Sequence, residues 1–108
     1  MTTTSGKRLD ACLTLLLPKA LEARILDKLL QHPEWVGPFT TYCVEGHGDN
    51  SGITSAREQV RGRAERMRTE ILMDAGHVAE LLQELRSELP SPEVEWWLSP
   101  VLDSGRLA

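Results

Sequence analysis

The sequence predicts an α+β domain of ferredoxin-like type, with elements in the order β-α-β-β-α-β. The expected product is a four-stranded antiparallel sheet carrying both helices on one face. Three observations predict it. Two stretches place apolar residues at helical spacing, and each runs into a proline-containing breaker. Four stretches carry strand patterning: one before the first helix, two between the helices, one after the second. The middle two enclose a long polar, glycine-rich segment, as a hairpin with an extended loop does.

Leu9 to Leu17 reads as the first strand. Ala11, Leu13, Leu15 and Leu17 fall on one face at period 2, and Asp10, Cys12, Thr14 and Leu16 fall on the other. Leucine is a weak strand former, so the pattern carries this assignment. Pro18 suits a first helical turn, where its missing N–H costs nothing. The helix is predicted over Lys19 to Gln31, with Leu21, Ile25, Leu26, Leu29 and Leu30 inward and His32-Pro33 as its stop. Residues 34–38 form a connector rich in turn residues.

Phe39 to Glu45 is the second strand. The third returns from Arg63, with its clearest part at Met67 to Met73. Asp74 is placed to cap the next helix. In that helix Val78, Leu81, Leu82, Leu85 and Leu89 make the inward stripe, and Pro90-Ser91-Pro92 ends it. Val94 to Leu98 is the fourth strand, with Trp96 and Trp97 on opposite faces; Pro100 breaks it, and Val101 to Ala108 continues as an edge segment. Residues 1–8 are expected to be a disordered tail and residues 9–108 a single domain.

With both helices on one face, the other sheet face is bare. The residues expected there are Cys12, Thr14, Leu16, Arg66, Arg68, Glu70, Glu95, Trp97 and Ser99. Leu16 and Trp97 are poor choices for open water, so a homo-oligomer that covers this face is expected.

Composition narrows the function. The chain has 108 residues and a net charge of −4, with its basic residues dispersed. No basic patch marks a nucleic-acid partner. Leu13 to Leu17 is far shorter than a membrane span, and no signal-peptide core precedes it, so a cytoplasmic protein without direct membrane insertion is expected. The two cysteines, Cys12 and Cys43, are expected as reduced thiols. No Ser–His–Asp or activated Cys–His arrangement can be assembled, so no catalytic residue is assigned and the chain is not read as an enzyme; a small ferredoxin-like enzyme with a pocket between sheet and helices ranks last among the alternatives.

The segment Gly46-His47-Gly48-Asp49-Asn50-Ser51-Gly52 follows a strand, where a phosphate-cradling loop would be placed, but it is neither a Walker A loop nor a dinucleotide fingerprint. Together with Val44-Glu45 before it and Val60-Arg61-Gly62 after it, this segment resembles the T-loop region of the PII signalling proteins. Arg66 to Ile71 is similar to the returning PII strand, and Glu95 to Val101 to the last one. Within that superfamily the chain resembles a PII-like family of small bacterial proteins often encoded beside heavy-metal efflux systems.

The resemblance implies a PII-like homotrimer with bare sheet faces packed round a central axis. It implies adenine nucleotides in clefts between subunits. It also implies that loop 46–62 reports ligand state to a partner, specifically a membrane transporter of heavy-metal efflux. The ligand-binding residues it points to are Gly46, His47, Gly48, Asn50, Gly52, Arg61, Arg63 and Arg106. The glycines would admit phosphate to backbone N–H groups and the arginines would neutralise it. The family's loop glutamine has no counterpart among Asp49, Asn50 and Ser51.

A second ligand class is a divalent or cuprous metal ion at Cys43 and His47, four residues apart across a strand end, with Cys12 as a cross-strand neighbour of Cys43. Against it, Cys43 reads as a small buried residue. His47 reads as an exposed loop residue, and His32 and His77 as surface residues. Trp35, Trp96 and Trp97 read as core or interface anchors.

Overall fold

The structure, a computed structural model, describes residues 8–46 and 64–108. The expected disordered tail, except Arg8, and the expected ligand loop, except Gly46, therefore lie outside the described residues. The four strands are β1 (Ala11–Leu17), β2 (Val36–Gly46), β3 (Ala64–Met73) and β4 (Glu95–Pro100). The two helices are α1 (Glu22–Leu30) and α2 (Val78–Glu88), each entered through a single turn of 3-10 helix, Lys19–Leu21 and Ala75–His77. The sheet order is β2-β3-β1-β4 and every neighbouring pair is antiparallel. This is the predicted ferredoxin-like arrangement.

Both central strands are heavily buried on the helix side. Leu13, Leu15, Leu17, Ile71 and Met73 lose nearly all contact with solvent and meet Ile25, Leu29, Val78, Leu81, Leu82 and Leu85 from the helices. Leucine's low strand propensity is overridden at β1 because three of its leucines share this core face. Thr69 is also buried there. Its hydroxyl donates to Thr41 Oγ1 at 3.3 Å, and Thr41 donates to Glu22 Oε2 at 3.4 Å, which ties the hairpin to the start of α1.

Several boundaries differ from expectation. β1 begins at Ala11 rather than Leu9, because the Asp10 carboxylate turns to accept the Ala75 N–H at 2.8 Å. That bond holds the Asp10 carboxyl below its ordinary value. Asp74 caps as predicted, its Oδ1 accepting from the Gly76 N–H at 2.8 Å. Leu30 is 68% exposed, beyond the edge of the α1 stripe. Residues 101–108 do not continue the sheet: after the Val101 N–H donates to the Asp10 carbonyl, Leu102 and Leu107 are fully exposed.

The largest shift is at β2, which starts at Val36 inside the expected connector. Val36 pairs with Met73 and Phe39 with Ile71, so Gly37 and Pro38 together oppose Leu72 in a bulge. Pro38 is tolerated because β2 is an edge strand and a bulge needs no ladder donor there. Gly37 is required by space: a Cβ would lie 2.6 Å from Leu9 Cδ2 and 2.7 Å from the Leu72 carbonyl oxygen. Backbone on one side cannot yield as a side chain can. Gly37→Ala should therefore cost about 1–3 kcal/mol in urea unfolding, and an unchanged midpoint would show that the bulge adapts.

Candidate functional site

The helix-free sheet face has the composition expected of it. Across it run two rows of paired residues: Tyr42, Arg68, Leu16 and Glu95 in one, Thr40, Glu70, Thr14 and Trp97 in the next. Side chains link the rows. The Arg68 guanidinium carbon is 5.3 Å from the centre of the Trp97 ring and 6.0 Å from that of Tyr42. Arg68 Nε donates to Glu70 Oε2 at 3.1 Å, and the Tyr42 hydroxyl donates to the same oxygen at 3.0 Å. Partial loss of solvent and the nearby Glu70 carboxylate push the Tyr42 phenol above its ordinary value.

This cluster leaves aromatic surface in water. Trp97 is 38% and Tyr42 42% exposed, with half-buried Leu16 in the Tyr42 row. Thr14 and Arg66 of the same face are buried within the single chain. At the sheet's β4 edge, Trp96 and Leu98 point to the helix side yet remain 45% exposed. An edge strand with uncovered apolar side chains is open to association.

The hairpin of β2 and β3 runs to the pair Gly46 and Ala64. Gly46 thus stands at the mouth of the predicted ligand loop; His47, Gly48, Asn50, Gly52, Arg61 and Arg63 lie outside the described residues. Arg106 is exposed in the tail, which leaves the opposite end of the sheet, where Pro100 pairs with Ala11 and Ala11 with Met73. Nine steps of β3 separate Met73 from Ala64, roughly 30 Å. Five residues of tail beyond Val101 reach at most about 18 Å. One chain therefore cannot bring Arg106 to Gly46, and a site using both requires two chains.

The metal expectations change. Cys43 is exposed, not buried. It is not a neighbour of Cys12: Cys43 pairs with Met67, whereas Cys12 pairs with Leu72 and Ser99 on the other face, five positions along β3. Both thiols are free. Among the described residues no group of three or more His, Cys, Asp or Glu side chains is placed to hold a metal ion.

His32 and His77 are not simple surface residues. Their rings sandwich Trp35, with centroids at 4.2 Å and 5.7 Å and planes within 6° and 14° of parallel. His32 Nε2 is 2.7 Å from Glu84 Oε2, an ion-pair contact not aligned as a hydrogen bond, and His32 Nδ1 is 3.3 Å from Glu34 Oε1. The Glu84 carboxylate, ahead of Glu34, raises the His32 pKa above its ordinary value. Glu84 also accepts from Lys28 Nζ at 3.1 Å, and Lys28 pairs with Glu88, so the cluster fastens α1 to α2. His77 Nδ1 is 2.7 Å from Glu80 Oε1. Sequence reasoning missed this stack; the only signal was the short spacing His32-x-x-Trp35 after a helix stop.

The architecture defines a ferredoxin-like domain. The chain belongs to the DUF3240 family of proteins of unknown function, whose model matches residues 8–108. It is similar in structure to a DUF3240 family protein from Shewanella baltica, with a TM-score of 0.71 and 21% identity, covering 94% of this chain and 99% of that one. It is also similar to a proposed PII-like signalling protein from Thermus thermophilus, with a TM-score of 0.60 and 18% identity over 85% of each chain. A Bacillus cereus protein related to NIF3 matches with a TM-score of 0.61 and 18% identity, over 93% of this chain but 27% of that one. No curated protein matches the sequence. Among the described residues, no helix is long and apolar enough to cross a membrane.

Proposed function

We propose that the chain is a PII-like signalling protein. It forms a homotrimer, binds a small ligand in the clefts between subunits, and presents loop 46–62 to a protein partner. The observation that carries this reading is the uncovered sheet face, where Tyr42, Leu16 and Trp97 stay in water around Arg68 in a single chain. A solvated sheet face normally carries polar residues. The reach of the tail supports it, since Gly46 and Arg106 act together only across two subunits.

The ligand proposed is an adenine nucleotide. Backbone N–H groups around Gly46, His47, Gly48, Asn50 and Gly52 take its phosphates, and Arg61, Arg63 and Arg106 balance their charge. The proposed partner is a heavy-metal efflux transporter, a reading that rests on the resemblance. A second reading, metal binding or tolerance, is favoured by one observation: the Cys43 thiol is exposed four residues before His47. No catalytic role is proposed.

Light scattering and a thermal-shift panel of ATP, ADP, bicarbonate, zinc and cuprous ion test these readings. The expected result is a trimer mass and a raised melting temperature with one nucleotide. A ligand that binds only the folded form adds about 2.7 kcal/mol at a hundredfold excess over its Kd. A stable monomer would remove the signalling reading. Metal affinity unchanged by Cys43→Ser with His47→Ala would remove the second.

A further inference from the structure

On the helix side of the sheet, across β1 from the hairpin, a cavity of about 140 Å³ opens between α1, α2 and β4. Leu15, Ile25, Leu82 and Leu85 supply its inner walls, and Trp96 lines it from the edge strand. All four aliphatic residues belong to the buried core, so the cavity is an extension of the core left unfilled. Trp96 at its side is 45% exposed. Its volume is close to the roughly 150 Å³ of an engineered apolar cavity that accepts benzene, although this one is open to solvent on one side.

One charged residue lines this cavity, Arg86 in the last turn of α2, an exposed side chain at its rim. Arg86 forms no ion pair among the described residues, although the chain carries an excess of acid. Beside it lies Ser91, whose Oγ accepts from the Glu93 N–H at 3.2 Å and keeps its own proton free to donate. The adjoining cleft on the outer side of α1 differs: Lys28 there is already paired with Glu84 and Glu88, and Asp27 and Glu88 balance the bases. Of the two, the first cavity alone combines an apolar interior with an unspent cation at its mouth.

We infer that this cavity binds a small apolar carboxylate. Its body is a single ring or a branched chain of about six carbons, set among Leu15, Leu82, Leu85 and Trp96, and its carboxylate is held by Arg86 with Ser91. The apolar body supplies the affinity and the fork of Arg86 N–H groups selects a planar acid over a neutral analogue. None of these residues belongs to the nucleotide reading, and the site does not depend on it.

The test uses benzoate as the acid and toluene as its neutral counterpart, with the full chain, in calorimetry and in two-dimensional amide NMR. Benzoate should bind saturably, one per chain, with shifts at Leu85, Ser91 and Trp96. Arg86→Gln should weaken benzoate by about tenfold, the loss of one charge-assisted contact, and leave toluene unchanged. Val94→Phe, at a half-buried position on the cavity lining, should fill the space and abolish both while circular dichroism stays native. Absence of saturable benzoate binding up to about 10 mM overturns the proposal. So does benzoate affinity indifferent to Arg86→Gln, or toluene binding without benzoate.

Discussion

Leu16→Glu should leave the chain folded and separate its assembly into monomers. Leu16 is half-buried at the middle of the open face, beside Arg68 on β3 and Glu95 on β4. In a lone chain a carboxylate at this position reaches water and has the Arg68 guanidinium as a neighbour, so circular dichroism and unfolding should change little. In the proposed trimer the same carboxylate would be shut away from solvent. Arg68 is already engaged by Glu70, and Glu95 lies on the other side, so the added carboxylate is not neutralised there; a buried charge in that state costs about 3–5 kcal/mol, which corresponds to at least a hundredfold rise in the dissociation constant. Analytical ultracentrifugation of wild type and variant across a concentration series reads this directly. A variant that assembles as the wild type does would show that the open face is not the interface. Trp97→Ala should act in the same direction but less, because it removes contact area without adding a charge, and it also strips one ring from Arg68.

The fold was legible because every element has a face. The alternation in β1 survives leucine's poor strand propensity, since Leu13, Leu15 and Leu17 must share the core side. The α2 stripe from Val78 to Leu85 is buried as its spacing requires. The errors fall where tertiary contacts outweigh local pattern. Gly37-Pro38 reads as a turn on its own; only the pairing of Val36 with Met73 and Phe39 with Ile71 makes it a bulge. Asp10 reads as a strand residue until the Ala75 N–H, remote in sequence, draws its carboxylate away. Leu30 reads as core because spacing says nothing about how wide a stripe the sheet can cover.

The candidate sites were legible in a different measure. The open face could be read from period 2 alone, and all its expected members except the fine degree of burial of Thr14 and Arg66 fall there. The link from Tyr42 through Glu70 and Arg68 to Trp97 could not, because it needs the register of three strand pairs at once. Cys43 reads as buried from sequence but is exposed, because β2 is an edge strand and its helix-side residues near Gly46 are uncovered. The Arg86 cavity left no pattern to read: it is a shortfall of packing between elements, and packing volume is not encoded in spacing.

Trp35→Ala should be the most damaging single change outside the buried core, costing about 3 kcal/mol. The ring packs against the core while both of its faces are held by imidazoles. Its loss removes the surface that fixes His32 beside Glu84, and with it one of the ties between α1 and α2. A pH dependence accompanies the stack. The His32 pKa is raised in the folded chain, so its charged form is worth more folded than unfolded. That stability is fully present below the ordinary histidine value of 6.5 and is lost as pH rises through the higher folded value. Glu84 works in the opposite window: its pKa is lowered by His32 and Lys28, so its contribution fades only as pH falls below 4.5 toward its folded value. Glu34, Lys28 and, through Lys28, Glu88 also face the cluster, and His77 closes the far side of Trp35 with Glu80. Unfolding midpoints taken from about pH 5 to 9 should therefore fall for the wild type above about pH 6.5. His32→Gln, which keeps a polar flat group against Trp35 without a titrating proton, should flatten that fall. A slope equally steep in His32→Gln would place the titration on another group, and a Trp35→Ala chain as stable as wild type would show that the stack contributes no net packing energy.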